Sequence, residues 1–291
     1  MGKSLKFIGI ILLSTVISLC SNAKQISETL VLNKGTFTAA DSTQFPYYAF
    51  NNDTTFSKTN KRLVLLLGDT LNLSLQNNSL DTHAFIIKSL GINLLLAPNS
   101  KQQKSIYPSA PGVFTYSDSK SGKSYGDWGA GGMLVVKSLK DEKKLTFYWN
   151  LKEVESAKIR DLDSGKAVDW NTYYADYFIV NGFGKDELKN DSISNIKGNV
   201  GDSLLIMIAN SGRGIHSIHF HGYHCTAIHV NSSRVQKGAN KDTFPLASGD
   251  GLMLLLVPDK PGIYPVHDHN LIAVTGGGKY PNGIFMMQVI K

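Results

Sequence analysis

The sequence contains two stretches that follow the same order of motifs, and this internal repeat limits the folds open to the chain. The matching blocks are Gly68-Asp69, His83 and Pro111-Gly112 in the first stretch, and Gly201-Asp202, His216 and Pro261-Gly262 in the second. In both stretches the histidine comes 15 residues after the first glycine. Each stretch then passes through a Gly-rich loop into a last apolar run. We therefore predict two copies of one structural module.

Short apolar runs, interrupted by Gly, Pro, Asn, Asp and Ser, predict β-strands in both copies. Typical runs are Leu63–Leu67, Leu71–Leu75, Ala84–Ile87 and Met133–Val136. Only Val154–Leu162 has a weak helical pattern. We expect an all-β protein of two β-sandwich domains, residues 24–140 and 145–291, divided near the charged segment Ser138–Lys144.

The N-terminal residues have the pattern of a signal peptide. Lys3 and Lys6 precede an apolar run, Phe7–Leu19, and small residues follow at Ser21-Asn22-Ala23. We predict cleavage after Ala23 and a secreted or periplasmic protein; a lipid anchor at Cys20 is the alternative. No later apolar run reaches the length of about 20 residues that a membrane-spanning helix needs, so no transmembrane segment is expected.

Composition and charge exclude some classes of protein. Hydrophobic residues make up 42% of the chain, enough for a folded core. The 30 Lys and Arg residues exceed the 23 Asp and Glu residues, but they are spread along the chain without an Arg-rich run. Nucleic acid is therefore not an expected partner. If Cys20 leaves with the signal peptide, Cys225 remains alone and no intramolecular disulfide can form.

The histidines are concentrated in the second copy. Seven of the eight lie between residues 216 and 269, and four form two pairs, His219-Phe220-His221 and His267-Asp268-His269. Residues two apart on a strand point to the same face, so each pair offers two imidazoles on one surface. Imidazole binds copper, zinc, iron and nickel. We predict a metal site at these four residues; the alternative is a solvated polar face.

The two histidine segments resemble a known family. Residues 216–222 (HSIHFHG) and 261–270 (PGIYPVHDHN) are similar to the two histidine motifs in the last domain of multicopper oxidases. Asn270-Leu271-Ile272 also resembles the second domain of copper nitrite reductases. The specific motifs lie within residues 198–291, while the architecture covers essentially the whole mature chain.

This resemblance implies two Greek-key cupredoxin-like domains and a copper cofactor. It implies that His219 is a type 2 copper ligand and that His221, His267 and His269 are ligands of type 2 or type 3 coppers. It assigns His216 to a type 1 copper.

The sequence departs from the family at its type 1 copper. The family has a cysteine between the second pair of histidines, where this chain has Asp268. A carboxylate cannot replace the thiolate of a blue copper site. The family's later histidine and methionine ligands fall near Ala273 and Ile284. We therefore expect the type 1 copper ligands to be lost.

The first module has lost most of the equivalent donors. The repeat aligns Ile86 and Lys88 with the first histidine pair, and Ser117 and Ser119 with the second. Only His83 is retained, opposite His216 of the second module. We expect it to be a structural, hydrogen-bonded histidine.

Three functions are consistent with this pattern. The first is a copper-dependent oxidoreductase that accepts electrons directly from a small-molecule or metal-ion substrate. The second is a copper carrier or scavenger without catalysis, and the third is a zinc site of hydrolytic type. Because ligand sets in this superfamily form between domains, a homotrimer in the manner of nitrite reductases is a further expectation.

Overall fold

A computed structural model describes residues 23–118 and 128–291 of the chain. Nearly all of its regular structure is β-strand. The strands of the first module are β1 (Gln25–Thr38), β2 (Gln44–Asn51), β3 (Leu63–Leu66), β4 (Thr70–Asn77), β5 (His83–Ile87), β6 (Ile92–Leu96), β7 (Ser100–Ile106), β8 (Gly112–Ser117) and β9 (Gly131–Lys137).

The second module adds eleven strands and two short helices. In chain order these are β10 (Thr146–Val154), α1 (Ser156–Asp163), β11 (Tyr177–Val180), α2 (Lys185–Asn190), β12 (Ile196–Gly198), β13 (Leu204–Asn210), β14 (His216–Phe220), β15 (Cys225–Asn231), β16 (Asn240–Lys241), β17 (Thr243–Leu246), β18 (Gly251–Leu256), β19 (Gly262–Asp268) and β20 (Phe285–Ile290). The helix predicted near residues 154–162 is α1, whereas α2 was not predicted. The signal-peptide prediction concerns residues that lie outside the described part of the chain.

The strands form four sheets, two in each module. The first module has the orders β2-β1-β4-β7 and β3-β9-β8-β5-β6. The second has β11-β10-β13-β18-β15-β16 and β12-β20-β19-β14-β17. Each pair of sheets encloses an apolar core, and the first core also takes in Val154, Ile159, Tyr177 and Ile179 from the start of the second module. The predicted all-β fold of two cupredoxin-like sandwiches is confirmed.

The repeat predicted from the sequence extends to strand pairing. β1 runs parallel to β4 as β10 does to β13, and β3 runs parallel to β9 as β12 does to β20. An asparagine at the end of β4, Asn77, donates to carbonyls of Asp81 and Leu96, and Asn210 at the end of β13 donates to those of Gly214 and Leu246. The two modules therefore share their loop supports as well as their strand order.

The modules pack through one sheet of each. Apolar residues of β8 and β9 meet those of β13 and β18 in a third core cluster, whose buried members are Val113, Met133, Val135, Leu205, Met207, Ala209 and Met253. The sheet that contains β14 and β19 is the other sheet of the second module. Its outer face is therefore separated from the first module of the same chain by the core of the second.

A buried His–Asp pair joins two strands in each module. Asp118 accepts a hydrogen bond from the His83 ring and another from the backbone N–H of Ala84, 2.7 Å away. His83 and Asp118 have no exposed surface. The expectation that His83 is a hydrogen-bonded histidine agrees with this placement. The strands β5 and β8 meet at one register pair, Ile86 with Ser117. The hydrogen-bonded His83 and Asp118 side chains are therefore a main link between the ends of these two strands.

Replacing Asp118 by alanine should destabilise the first module. The variant leaves the buried His83 ring and the Ala84 N–H without their acceptor, and a loss of about 3 kcal/mol in the free energy of unfolding is expected. Urea denaturation followed by circular dichroism measures it.

Asp161→Ala is the matched control, because Asp161 makes an exposed ion pair with Lys166. Its cost should stay below about 1 kcal/mol. Equal losses in the two variants would contradict the structural role of Asp118.

No helix in the described ranges is long and apolar enough to cross a membrane.

Candidate metal centre

The two histidine pairs lie side by side on the outer face of one sheet. β14 and β19 are antiparallel neighbours, and His219 is directly opposite His267. His221 follows the last residue of β14, and His269 follows the last residue of β19. The alternate residues of both strands point into the core, so these four imidazoles share the opposite face. Strand geometry alone thus gathers four donors from two short motifs.

The four rings form a compact cluster. The ring centroid of His219 lies 4.5 Å from that of His221, 5.8 Å from that of His267 and 5.5 Å from that of His269. The His221 and His267 centroids are 5.0 Å apart. The His269 side chain is exposed, while the other three are partly buried. The cluster is therefore open to solvent on one side.

His267 presents its Nε2 atom to His221. Its Nδ1 lies 2.8 Å from the backbone carbonyl of Asp268, to which it donates, so Nε2 carries the lone pair. The Nε2 atoms of His221 and His267 are 2.9 Å apart, which makes His221 the donor between them. Partial burial, followed by the charges of the other three histidines, lowers the pKa of His221. The lowered pKa favours the neutral imidazole of His221, the form that binds metal ions.

His219 is oriented by a hydrogen-bonded chain from β17. Its Nδ1 lies 2.8 Å from the Thr243 hydroxyl oxygen, and that hydroxyl donates to Asp242 over 3.0 Å. The hydroxyl oxygen must then accept the Nδ1 proton, which leaves His219 Nε2 as an acceptor facing the cluster. Carboxylate-supported histidines of this kind are typical of metal ligands.

An aromatic side chain holds the His267 ring from the other side. Phe285, on β20, stacks on His267 at 6.1 Å with an angle of 14° between the planes. Tyr280 lies edge-on to Phe285 at 5.8 Å and is exposed. After His221 the chain turns at Gly222, whose φ of +78° and contact with the Tyr264 ring leave no room for a side chain. The stacking on Phe285 positions the ring of His267, and the tight turn at Gly222 positions the end of β14, where His221 lies.

The cluster has the donor type of a metal site but not the closed geometry of one. Among the described residues, no three His, Cys, Asp or Glu side chains are arranged to hold one metal ion together. The imidazoles are the donor type that copper and zinc bind, so the residues fit such an ion by their chemistry, as two adjacent pairs of donors.

His216 is separated from the other predicted ligands. It lies three residues before His219, so its side chain points to the inner face of β14 and is 1% exposed. Its Nδ1 is 2.6 Å from Asp268 Oδ2 and its Nε2 is 2.9 Å from Glu153 Oε2. Both ring nitrogens are therefore occupied by carboxylates.

This arrangement gives His216 a positive charge. Burial alone would lower the pKa of His216, but the hydrogen bonds and charges of Asp268 and Glu153 outweigh it and raise the pKa to about 9. Burial would raise the pKa of Glu153, whereas the hydrogen bond and charge of His216 lower it overall. The result is a buried ion triad in the place where the resemblance implies a type 1 copper.

The described part of the first module, residues 23–118 and 128–137, has no comparable cluster. Ile86 pairs with Ser117, as His219 pairs with His267, so the equivalent surface has no imidazole. The cysteine within the described residues, Cys225, is buried in the second core, and burial raises the pKa of its thiol. The donors predicted from the sequence are thus grouped in the second module.

Three residues that contribute to the site were not identified from the sequence. Asp242 precedes β17, Thr243 is its first residue, and Glu153 lies far from the histidines along the chain. Thr243 is the cross-strand partner of His219, a pairing that only the structure reveals. Glu153 gave no signal in the sequence, because its contact with His216 depends on the pairing of β10 with β13.

Comparisons with known proteins confirm the resemblance. The sequence family described as multicopper oxidase matches residues 158–279. The fold is similar to the blue copper oxidase from Nitrosomonas europaea, with a TM-score of 0.77 and 18% identity over 92% of this chain and 86% of that one. The comparison with the multicopper oxidase mgLAC gives a TM-score of 0.76 and 20% identity over 92% of this chain and 87% of that one.

A nitrite reductase has the same architecture. The copper nitrite reductase from Nitrosomonas europaea gives a TM-score of 0.68 and 16% identity over 92% of this chain and 94% of that one. The search among curated protein sequences gives no match. The chain therefore resembles the superfamily of multicopper oxidases and copper nitrite reductases in fold and, in the second module, in sequence.

The buried triad should make stability fall at alkaline pH. The pKa of His216 is about 9 in the folded protein and about 6.5 in the unfolded chain, so its charged form stabilises the fold fully below pH 6.5. That contribution, about 3 kcal/mol, is lost as the pH rises through 9. Urea unfolding of the metal-free protein between pH 6 and 10 measures it, and His216→Gln should flatten the profile. A wild-type stability that is constant over this range would contradict the charged triad.

Removing the hydroxyl of Thr243 should weaken metal binding without unfolding the protein. Thr243→Val keeps the shape of the β-branched side chain but takes away the acceptor of His219 Nδ1, and a loss of about 10-fold to 100-fold in copper affinity is expected. Titration against a competing chelator measures the affinity. Thr226→Val, on β15, is the control, and the same loss in both variants would argue against an orienting role.

Proposed function

We propose that this protein is an exported copper-binding member of the multicopper oxidase superfamily with an oxidoreductase activity that uses no type 1 copper. The observation that supports the proposal most strongly is the cross-strand cluster of His219, His221, His267 and His269. Its rings are held by Thr243, by Phe285 and by the Asp268 carbonyl, so the donors are positioned before any ligand arrives.

Each histidine contributes differently to the proposed site. His219 presents Nε2 because Thr243 binds its Nδ1 proton, and His267 presents Nε2 because its own Nδ1 proton is bound by a carbonyl. The proton on His221 Nε2 would have to move to Nδ1 before Nε2 could act as a ligand, and the lowered pKa of His221 favours the neutral ring that this change of tautomer requires. His269 is exposed and reaches toward the open side. Copper bound here would supply one-electron transfer between Cu(I) and Cu(II).

The ion triad explains why we propose direct electron delivery. His216, Glu153 and Asp268 fill the position of the type 1 site with fixed charges, and the thiol of Cys225 is buried in the core. A reductant would therefore have to reach the exposed side of the histidine cluster. We propose a small-molecule or metal-ion substrate for this role.

We further propose that a second copy of the chain completes the site, in a homotrimer. The cluster lies on the outer face of the second module, away from the first module of the same chain. Its donors form pairs and do not enclose an ion by themselves. A neighbouring subunit on this face would close the open side and supply further ligands.

The proposed location is outside the cytoplasm. The pattern of Lys3, Lys6 and the apolar run after them supports export of the chain by a signal peptide that ends at Ala23. The mature protein would then be secreted or periplasmic.

A carrier or scavenger of copper is the second candidate. The exposure of His269 and the openness of the cluster favour it, because exchange of a metal ion with a partner requires access and does not require an electron path. Oxygen consumption with a reducing substrate distinguishes the two functions. Turnover that depends on bound copper supports the oxidoreductase, and stoichiometric binding without turnover supports the carrier.

Replacing His219 and His269 together by alanine should remove most of the bound copper. The two side chains lie on the outer face of their strands, so the double variant should retain its β-sheet circular dichroism spectrum. Copper and zinc content is measured after both metals have been offered in equal amounts.

The copper-loaded wild type should lack the strong visible absorption of a blue copper protein, since the thiol of Cys225 is buried in the core away from the histidine cluster.

His229→Ala is the matched control, because His229 lies on β15 in the other sheet of the second module. It should retain the wild-type copper content. Copper retained by the double variant would refute the proposed site, and preferential uptake of zinc would favour the hydrolytic alternative. An intense blue band lost on replacing Cys225 would show that the thiol binds copper.

A further inference from the structure

A polar groove lies between the two modules, away from the histidine cluster. It has a volume of about 500 Å³, and no histidine lines it. One wall is the loop between β2 and β3, including Asn52, Ser57 and Arg62. The other wall comes from the second module and includes Asn181 and Asp191. Its size and its position between domains are typical of a small-molecule site.

The groove contains an arginine whose hydrogen-bond donors have no protein partner. Arg62 is partly buried, and its guanidinium carbon lies 4.0 Å from the centre of the Tyr148 ring. Within residues 23–118 and 128–291, the Arg62 side chain makes no hydrogen bond or ion pair in the structure. A guanidinium has five N–H donors, and since no protein acceptor within the described residues takes any of those of Arg62, they are open to a ligand in the groove. Stacking on Tyr148 holds the group in place but satisfies none of its donors.

The second module shows how the same position is filled when it is purely structural. Leu63 on β3 pairs with Leu134, and Ile196 on β12 pairs with Gln288 at the matching register, so Asn195 is equivalent to Arg62. The Asn195 side chain donates to the carbonyls of Leu188 and Asp191 and accepts from the N–H of Met287. A short amide thus satisfies this position internally, whereas the longer guanidinium reaches the groove with its donors available.

The charges of the groove favour a singly charged ligand. The planar donor fork of arginine matches a carboxylate, which it can bind through two parallel hydrogen bonds. Asp53 and Asp191 also line the groove, and Lys61, the other cation of the lining, is paired with Glu28, so a multiply charged anion would meet two carboxylates and one available cation. Asp191 accepts bonds from Ile193 N–H and the Ser194 hydroxyl, so it is fixed in place as a negative charge. We propose that this groove binds a small monocarboxylate, with its carboxylate on Arg62 and the rest of the molecule between the modules.

The test uses the metal-free full-length mature protein and three probes. Benzoate is the carboxylate, benzamide is its neutral isostere, and inorganic phosphate is the multiply charged anion. NMR titration follows the Arg62 side-chain Nε–H signal and the amide signals of the loop between β2 and β3. Benzoate should shift these signals saturably, and benzamide should not. Arg62→Met should weaken benzoate binding by at least about tenfold, because the paired charge is lost.

Arg234→Met, in an exposed loop of the second module, should bind benzoate like the wild type. The thermal midpoint of Arg62→Met should stay close to that of the wild type, since the change removes a partly buried charge that makes no hydrogen bond with the described residues and whose protein contacts are the Tyr148 ring and the charge of Asp191. A marked fall in the midpoint would show that Arg62 is structural and would overturn the proposal. The absence of saturable binding, unchanged binding in Arg62→Met, or tighter binding of phosphate than of benzoate would each overturn it as well.

Discussion

The antiparallel pairing of β14 with β19 determines what each face of this sheet can do. The register that places His219 opposite His267 also places Ile218 opposite Asp268, so imidazoles collect on the outside while the Asp268 carboxylate is held inside. A shift of one residue in either strand would exchange these faces and bury the histidines. The core residues Phe220 and Val266, both fully buried, hold the register in place. The candidate metal surface and the ion triad are thus two results of a single strand pairing.

The equivalent strands of the first module, β5 and β8, carry different residues on their outer face. β5 and β8 keep the buried His83–Asp118 pair, but the outer positions carry Ile86 and Ser117 in place of imidazoles. The inner His–Asp pair is thus common to both sandwiches, whereas the outer residues differ between them. This separation explains how one repeat can supply structure and the other a candidate metal centre.

Much of the fold could be predicted from the sequence, because the repeat and the apolar alternation are local patterns. The strands around Leu63, Leu71 and Met133 lie where those patterns indicate. The four outer histidines could be grouped for the same reason, since the two histidines of each pair lie two residues apart along one extended segment.

The position of His216 required a further step. An odd spacing of three residues separates it from His219, which places the two side chains on opposite faces. Its partner Glu153 could not be found in this way, because β10 and β14 belong to different sheets. The Asp242–Thr243 chain likewise depends on how β17 pairs with β14, which local patterns do not specify.

Asp268 has become more than a substitute for a lost ligand. One of its oxygens accepts the N–H groups of Ser217 and Asn270, at 3.1 and 2.9 Å, while the other holds His216. A cysteine introduced there would satisfy neither backbone donor as well, and Glu153 would still occupy the far nitrogen of the imidazole. The His216 ring and the N–H groups of Ser217 and Asn270 all depend on this one carboxylate. Exchanging Asp268 for a cysteine would therefore disturb the core before it could create a thiolate site, so no single substitution turns this position into a blue copper centre.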